Sequence, residues 1–277
     1  MNHPFVPQFI STPRIPSLGV TIAILNWNQE AVLPRAITSA RKAATVLRSY
    51  NVAVEILVID HGSNDGSITL MRQLEALYFE EGLRLWALAD HQSPGYGRNQ
   101  TLSLASYRYV VILDADNEII PENIYQFYRA INETQATVVY GNLLRPDNEA
   151  RRSFLINHES FQHRMFSQNY IDVFALVDRL AVLENGGFTT GGVGAIPEDW
   201  ELYLRLAARG HRLVFVPLTL GIYHDLPNSL SKEIVADDHY LEIILSQVKR
   251  AFDQVEARSQ LPLNTHLLQY HPDVGYL

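Results

Sequence analysis

The sequence predicts an α/β fold with a mainly parallel central sheet flanked by helices. Three observations carry that prediction. Short β-branched runs alternate with helical stretches along the chain. Two of the runs, VTIAIL at 20–25 and EILVID at 55–60, are almost wholly apolar, as strands covered on both faces are. Four of the runs end in polar clusters, and the carboxyl ends of parallel strands are where such sheets bind ligands.

The remaining strands are expected at 83–89 (LRLWALA), 109–113 (YVVIL), 136–140 (ATVVY) and 212–216 (RLVFV). Between the first two strands, Val32, Ile37, Ala40, Ala44 and Leu47 follow helical spacing. Pro34 fits only the first turn of that helix, where its missing N–H leaves no bond unmade. Residues 142–175 are less regular. A helix is expected after Pro197, with Trp200, Tyr203, Leu204 and Ala207 on one face and Gly210 as its stop. A longer amphipathic helix is expected over 232–258, with Leu241, Ile244, Val248 and Phe252 on one side. Its other face mixes charge signs, which suits packing or a homodimer better than a membrane surface. Residues 1–17, with four prolines, read as an extended arm.

Composition narrows the function. The 277 residues carry 22 Lys and Arg against 30 Asp and Glu, a net charge of −8. That balance argues against a general nucleic-acid or anionic-membrane binder, while leaving room for a local basic pocket. With no cysteine, thiolate catalysis, disulfides and Cys metal sites are excluded. No apolar run approaches the ~18–20 residues of a membrane helix. A soluble, cytoplasmic protein is expected.

The chemistry gathers at the four strand ends. They carry Leu25, Asn26, Trp27 and Asn28; Asp60, His61 and a turn through Ser67; His91 to Asn99; and Asp114, Ala115, Asp116 and Asn117. If the sheet is parallel, all four meet along one edge. In extended backbone, Asp114 and Asp116 point the same way with Ala115 turned into the body. Two hard anions at that spacing suit Mg²⁺ or Mn²⁺ beside substrate phosphates; they also suit a plain strand-end turn. Asp60 is read as a ligand contact and Asp65 as a cap for the following helix. Arg98, near a helix start, reads as a phosphate clamp or as an ion pair with Asp114. Gly95 and Gly97 lack the third glycine of a dinucleotide fingerprint, whose place Gln100 takes. Glu198 and Asp199 open a helix after a glycine-rich stretch, 185–194; the helix N-terminus alone stabilises such acids, and the place equally suits a general base. His224 is a candidate metal or diphosphate contact.

In order and spacing, VTIAILNWNQ, ILVIDHGSNDGS, PGYGRNQ, VVILDADN, NGGF and EDWELYLRLAARGHRLVFVP resemble glycosyltransferase family 2 over roughly residues 18–225. The resemblance implies the GT-A fold, with a Rossmann-like nucleotide-binding half at 18–117 and an acceptor half at 118–225, followed by a helical tail at 226–277. It implies a metal-dependent, inverting hexosyltransferase. The donor would be a nucleotide-diphosphate sugar, the acceptor hydroxyl that of a glycan, a lipid-linked unit or a small molecule. Leu25, Asn26, Trp27, Asn28, Asp60, His61, Arg98, Asn99, Asp114 and Ala115 would hold the donor. Asp114, Asp116 and His224 would hold Mn²⁺ or Mg²⁺. Asp199, with Glu198 beside it, would be the base. His61 stands where many members carry a second aspartate that often reads uracil, so UDP, dTDP and GDP donors all stay open. The Q-x-x-R-W signature of processive synthases is absent, which implies single transfer. Two other classes fit parts of the pattern. One is a non-catalytic binding or scaffold protein on this fold. The other is a nucleotidyltransferase, disfavoured because NWNQE offers no basic residue for a triphosphate.

Overall fold

Alternation along the apolar strands decides how the sheet is covered. The computed structural model describes residues 16–147, 152–157, 159–161, 165, 168–190 and 197–225, with the backbone of 270–271 and 275–276. The N-terminal half runs β1 (Ser17–Asn26), α1 (Leu33–Ser49), β2 (Val54–His61), α2 (Ser67–Tyr78), β3 (Leu83–Leu88), α3 (Pro94–Leu104) and β4 (Tyr107–Asp114). Then follow β5 (Glu118–Ile119), α4 (Ile124–Thr134), β6 (Val138–Asp147), β7 (Arg152–Ile156), β8 (Leu176–Asp178), α5 (Arg179–Glu184), α6 (Glu198–Ala208) and β9 (Leu213–Ile222). Among the described residues the main sheet has nine strands in the order β3-β2-β1-β4-β8-β6-β9-β5, with β7 paired to β6.

The strands β1 to β4 are mutually parallel, and β8 runs antiparallel between β4 and β6. Successive side chains of β1 and β4 enter opposite layers, as strand geometry requires. Ile22, Ile24, Val111 and Leu113 pack with Leu33, Ile37 and Ala40 of α1 and with Phe127 and Ile131 of α4. Ala23, Val110 and Ile112 face the other way, onto Leu102 of α3, Val182 of α5 and Leu202 and Leu206 of α6. The result is a helix–sheet–helix sandwich, with β1 and β4 buried on both faces.

All six expected strands form. Pro34 lies in the first turn of α1, and the helix buries Leu33, Ala36, Ile37, Ala40, Ala43, Ala44 and Leu47. The α6 helix closes where Gly210 takes φ +79°, with Gly210 N–H donating to Ala207 O and His211 N–H to Leu206 O, a glycine-type stop. In the main sheet three strands were not foreseen: β5 has two residues, β8 has three, and β7 carries the exposed Phe154 and Leu155 in the irregular stretch. Most of the expected arm (1–15) and the helix expected at 232–258 lie outside the described residues. The tail differs from an all-helical reading at its end: β10 (Tyr270–His271) pairs antiparallel with β11 (Gly275–Tyr276). Pro272 between them cannot donate within a helix. No helix among the described residues is long and apolar enough to cross a membrane.

Candidate functional site

Parallel register brings the four polar strand ends to one edge. Asn26 pairs with Asp60, His61 with Leu88, and Leu25 with Asp114. The partly exposed Leu25 accepts Ala115 N–H at 3.0 Å, which ties the first loop to the fourth.

The first two loops form one hydrogen-bonded unit. Asn26 Nδ2 donates to Asp60 Oδ1 at 2.9 Å and to Ser63 Oγ at 3.2 Å. Ser63 N–H donates to Asp60 Oδ2 at 2.8 Å, and Asn28 N–H to Ser63 Oγ at 2.8 Å. Asn64 N–H closes on Asn28 Oδ1, with Asn28 in the left-handed region at φ +53°. Asp60, expected as a ligand contact, is engaged within the loop. It is fully buried, and both its oxygens are engaged in fixing the loop. Among the described residues, the buried acceptors Asn26 Oδ1 and Gln29 Oε1 have no donor. Asp65 accepts Ser67 N–H and Glu30 N–H, as a cap and loop tie.

An aromatic wall borders this unit. Trp27 stacks on His91 with ring centroids 3.8 Å apart and planes 14° from parallel. His61 lies tilted against His91 and accepts Gln92 N–H at Nε2. Burial, then the charge of His91, pushes the His61 pKa down to about 4 despite nearby Asp60, so the imidazole is neutral at pH 7.

The Asp114–Asn117 segment differs from an extended strand. The strand stops at Asp114, and Asn117 N–H donates to Asp114 O at 3.0 Å, closing a tight turn. Ala115 is fully buried, as expected, while Asp114 and Asp116 remain partly exposed. Burial, then the like charge of Asp114, raises the Asp116 pKa to about 7. Arg35 donates to Asp116 O at 2.7 Å and pairs with Glu118 at 3.4 Å. His224 is anchored on both sides: its N–H donates to Asn117 Oδ1, and Nε2 lies 2.7 Å from Glu118 Oε1. Among the described residues no group of three or more acids and histidines is placed to hold a metal unaided.

Arg98 links the acidic turn to the start of α6. Its Nη2 lies 3.2 Å from both oxygens of Asp114, and its Nη1 contacts Glu198. The amide of Asn99, expected at the donor, forms a reciprocal pair with the backbone N–H and C=O of Phe188, each at 2.8 Å. Arg205 completes the grip on the glycine turn by donating to Asn185 O and Gly187 O. Residues 191–194 of the glycine-rich stretch lie outside the described residues.

Beyond Glu198 lies a cavity of about 330 Å³ lined by Asn157, Asn169, Asp172 and Asp199, among others. Asp199 Oδ1 accepts Trp200 N–H at 2.7 Å and Asn169 Nδ2 at 3.3 Å. Burial raises the Asp199 pKa, and the charge of Arg98 opposes it. Burial, then the charge of Asp199, raises the Asp172 pKa to about 7. Sequence reasoning assigned no role to Asp172, Asn157, Asn169, Arg35 or Glu118. They come from the irregular stretch, from α1 or from the two-residue β5, none of which carries a motif there. His91 was visible within its polar loop, but its ring stack was not.

Residues 21–184 match the model described as Glycosyl transferase family 2. The succinoglycan biosynthesis protein ExoO of Rhizobium meliloti (strain 1021) is 25% identical over 236 residues, covering 79% of this chain and 64% of that protein. The poly(ribitol-phosphate) beta-glucosyltransferase of Bacillus spizizenii (strain ATCC 23059 / NRRL B-14472 / W23) is 24% identical over 126 residues, 46% of this chain and 19% of that one. The chain thus spans less than two thirds of the length of these curated relatives. In three dimensions it is similar to S. aureus TarS 1-349 in complex with UDP-GlcNAc, with a TM-score of 0.63 at 14% identity, covering 92% of this chain and 77% of that one. It is also similar to the mannosyltransferase PcManGT from Pyrobaculum calidifontis in complex with GDP-Man and Mn2+, with a TM-score of 0.59 at 15% identity, covering 93% and 80%. The architecture these chains share is the GT-A fold.

Proposed function

The chain belongs to glycosyl transferase family 2, and on that premise we propose that it moves a sugar from a nucleotide-diphosphate donor to an acceptor hydroxyl, with inversion and one transfer per encounter. One observation carries the reading. A single buried guanidinium, Arg98, touches Asp114 of the acidic turn and Glu198, the neighbour of Asp199 on the cavity wall. That guanidinium links the proposed donor side to the helix start that carries the proposed proton acceptor.

On the donor side, the unsatisfied acceptors Asn26 Oδ1 and Gln29 Oε1 suit ribose or base donors. Trp27 and His91 offer a flat surface for a base. The acidic turn fits a divalent cation: Asp114 and Asp116 are hard oxygen donors, and the high Asp116 pKa marks a carboxylate short of positive charge. Asp116, with Asp114 and His224 at its flanks, would hold Mn²⁺ or Mg²⁺, water and donor phosphates completing the shell. When bound, the ion neutralises charge on the diphosphate.

Asp199 acts as general base. Its raised pKa brings it toward the proton it must take. The acceptor oxygen bonds to the anomeric carbon, the bond from that carbon to the diphosphate breaks, and the acceptor proton passes to Asp199. Arg98 sits where it adds positive charge beside the departing diphosphate.

The test is a thermal-shift panel of UDP, dTDP and GDP sugars with and without Mn²⁺. A saturating donor at 100 times its dissociation constant stabilises by about 2.7 kcal/mol. Asp116→Ala is expected to abolish the Mn²⁺-dependent part of the shift. Asp199→Asn is expected to keep the donor shift and lose turnover by at least 100-fold, the scale of a general base. Turnover within threefold of wild type in Asp199→Asn would remove it as the base. No shift with any nucleotide sugar would favour a scaffold role.

A further inference from the structure

His211, in the turn between α6 and β9, is held at both ring nitrogens. Nδ1 lies 2.9 Å from Thr137 Oγ1, and Nε2 lies 2.9 Å from Asn185 Nδ2. The Asn185 amide has only one orientation open to it. Its Nδ2 donates to Ala181 O at 2.7 Å, and that oxygen can only accept. Its Oδ1 accepts Arg209 Nη1 at 3.0 Å, and a guanidinium can only donate. Nε2 of His211 must therefore be the acceptor. A neutral imidazole has one donor and one acceptor, which puts the proton on Nδ1, donated to Thr137 Oγ1. A second proton, on Nε2, would set N–H against N–H₂. Turning the amide over to receive it would face its oxygen to Ala181 O and its N–H₂ to Arg209, exchanging one repulsion for two.

The surrounding charges act the same way. Burial, then the charge of Arg209 on α6, lowers the His211 pKa; Asp178 at the start of α5 opposes them, with Arg108 of β4 donating to its Oδ2. Arg205 is paired with Glu201, Arg212 turns to Thr134 O, and Glu184 at the end of α5 is exposed.

Asn185 opens the glycine turn. Its carbonyl oxygen accepts both Arg205 and Arg209. Further along, Phe188 clasps the Asn99 amide, and Thr189 O fills the place that a Cβ on Gly95 would take. Gly95 and Asn99 both lie on α3, with Arg98 between them in the chain. We propose that His211 is a positioning residue: its unprotonated Nε2 fixes Asn185, the turn at 185–189 seats α3 and with it Arg98, and a proton on Nε2 loosens that clasp. The clasp is independent of the reaction, and its effect on turnover rests on the transferase reading. Because folding lowers the His211 pKa, the clasp is complete above the ordinary histidine value and loosens as pH falls below it toward the lowered one.

The experiment takes three readouts on the full chain from about pH 8 to about pH 5. Long-range imidazole NMR, with His211 identified by its loss in His211→Gln, is expected to show the proton on Nδ1 and a bare Nε2 that titrates below the ordinary histidine value. Hydrogen exchange of the Phe188 N–H, corrected for the intrinsic rate, is expected to lose about tenfold in protection across that titration. Gln offers an acceptor near the place of Nε2 and takes no proton, so His211→Gln should keep its protection throughout. His211→Leu, with no acceptor, should show the reduced protection at every pH; the wild-type titration decides the same point without needing that variant to fold. Hydrolysis of UDP-glucose, dTDP-glucose or GDP-mannose with Mn²⁺ should fall less steeply in acid for His211→Gln than for wild type. A proton on Nε2 of neutral His211 would overturn the proposal. So would Phe188 protection that ignores the His211 titration or follows pH equally in His211→Gln, and so would equally steep acidic limbs in the two proteins. Hydrolysis of no donor by either protein would defeat the transferase reading instead, and the NMR and exchange readouts, made without donor, then still decide the clasp.

Discussion

Replacing Arg98 by alanine removes the one guanidinium that touches both Asp114 and Glu198. At an effective dielectric of about 20, a charge pair at 3.2 Å is worth about 5 kcal/mol. The Asp114 side chain is 32% exposed, and the guanidinium, only 9% exposed, has already lost its water. Both facts reduce the net loss to about 2–3 kcal/mol. For a chain of this size each kcal/mol moves the melting temperature by about 2–4 °C, so Arg98→Ala is expected to melt about 4–12 °C lower. A second consequence separates this from ordinary destabilisation. The Arg98 charge holds the Asp199 pKa down against burial. Without it the pKa rises further, and a base that must be deprotonated then works only at higher pH. The acidic limb of the pH–rate profile should move up, while Arg98→Lys, which keeps a charge but not the fork, moves it less. Calorimetry and a pH series of transfer rates check both. A melting change under 2 °C together with an unmoved acidic limb would refute the bridge.

Two further predictions concern the walls of the site. His61 is neutral in the fold with a pKa near 4 and ordinary when unfolded, so the unfolded chain binds the extra proton between about pH 6.5 and 4. Its contribution therefore favours the fold above that window and is lost as pH falls through it, about 3 kcal/mol in all. His61→Gln, which can still accept Gln92 N–H, should melt progressively higher relative to wild type as pH drops from 6.5 to 4; a constant difference would contradict the assignment. Gly187→Ala places a Cβ against the Asn99 amide at φ +65°. It should cost about 1–3 kcal/mol by urea titration and release the Phe188 clasp, whereas Gly210→Ala, with open space around it, pays only the backbone strain.

The sheet was legible where burial on both faces writes itself into the sequence. The runs at 20–25 and 55–60 could only be covered strands, and the polar ends of 26–28, 60–67 and 114–117 could meet only if those strands were parallel, as they are. The wall of the cavity was not legible, for a physical reason. Asp172 and Asn157 sit in a stretch whose backbone is held by side-chain amides and not by a periodic apolar face. Nothing in composition marks such a stretch. Asp60 is ambiguous in sequence for a related reason: a carboxylate at a strand end is equally good at binding a ligand and at binding its own loop. The closure of Ser63 N–H and Asn26 Nδ2 on it is visible only in three dimensions.

Strand polarity explains why those hidden residues reach the same edge as the legible ones. The β8 strand runs against β4, pairing Tyr109 with Asp178 and Val111 with Leu176. Its entry therefore lies toward the end where β4 delivers Asp114, and the segment before it, with Asp172, arrives beside the acidic turn. The β6 strand runs antiparallel to β8, and β9 runs parallel to β6. β9 thus points the same way as β4 and delivers His224 to that edge as well. One three-residue reversal thus brings the segment that carries Asp172 to the edge where the parallel strands end. A strand so short carries no period to read, so the element that brings Asp172 to this edge is also the one least visible in the sequence.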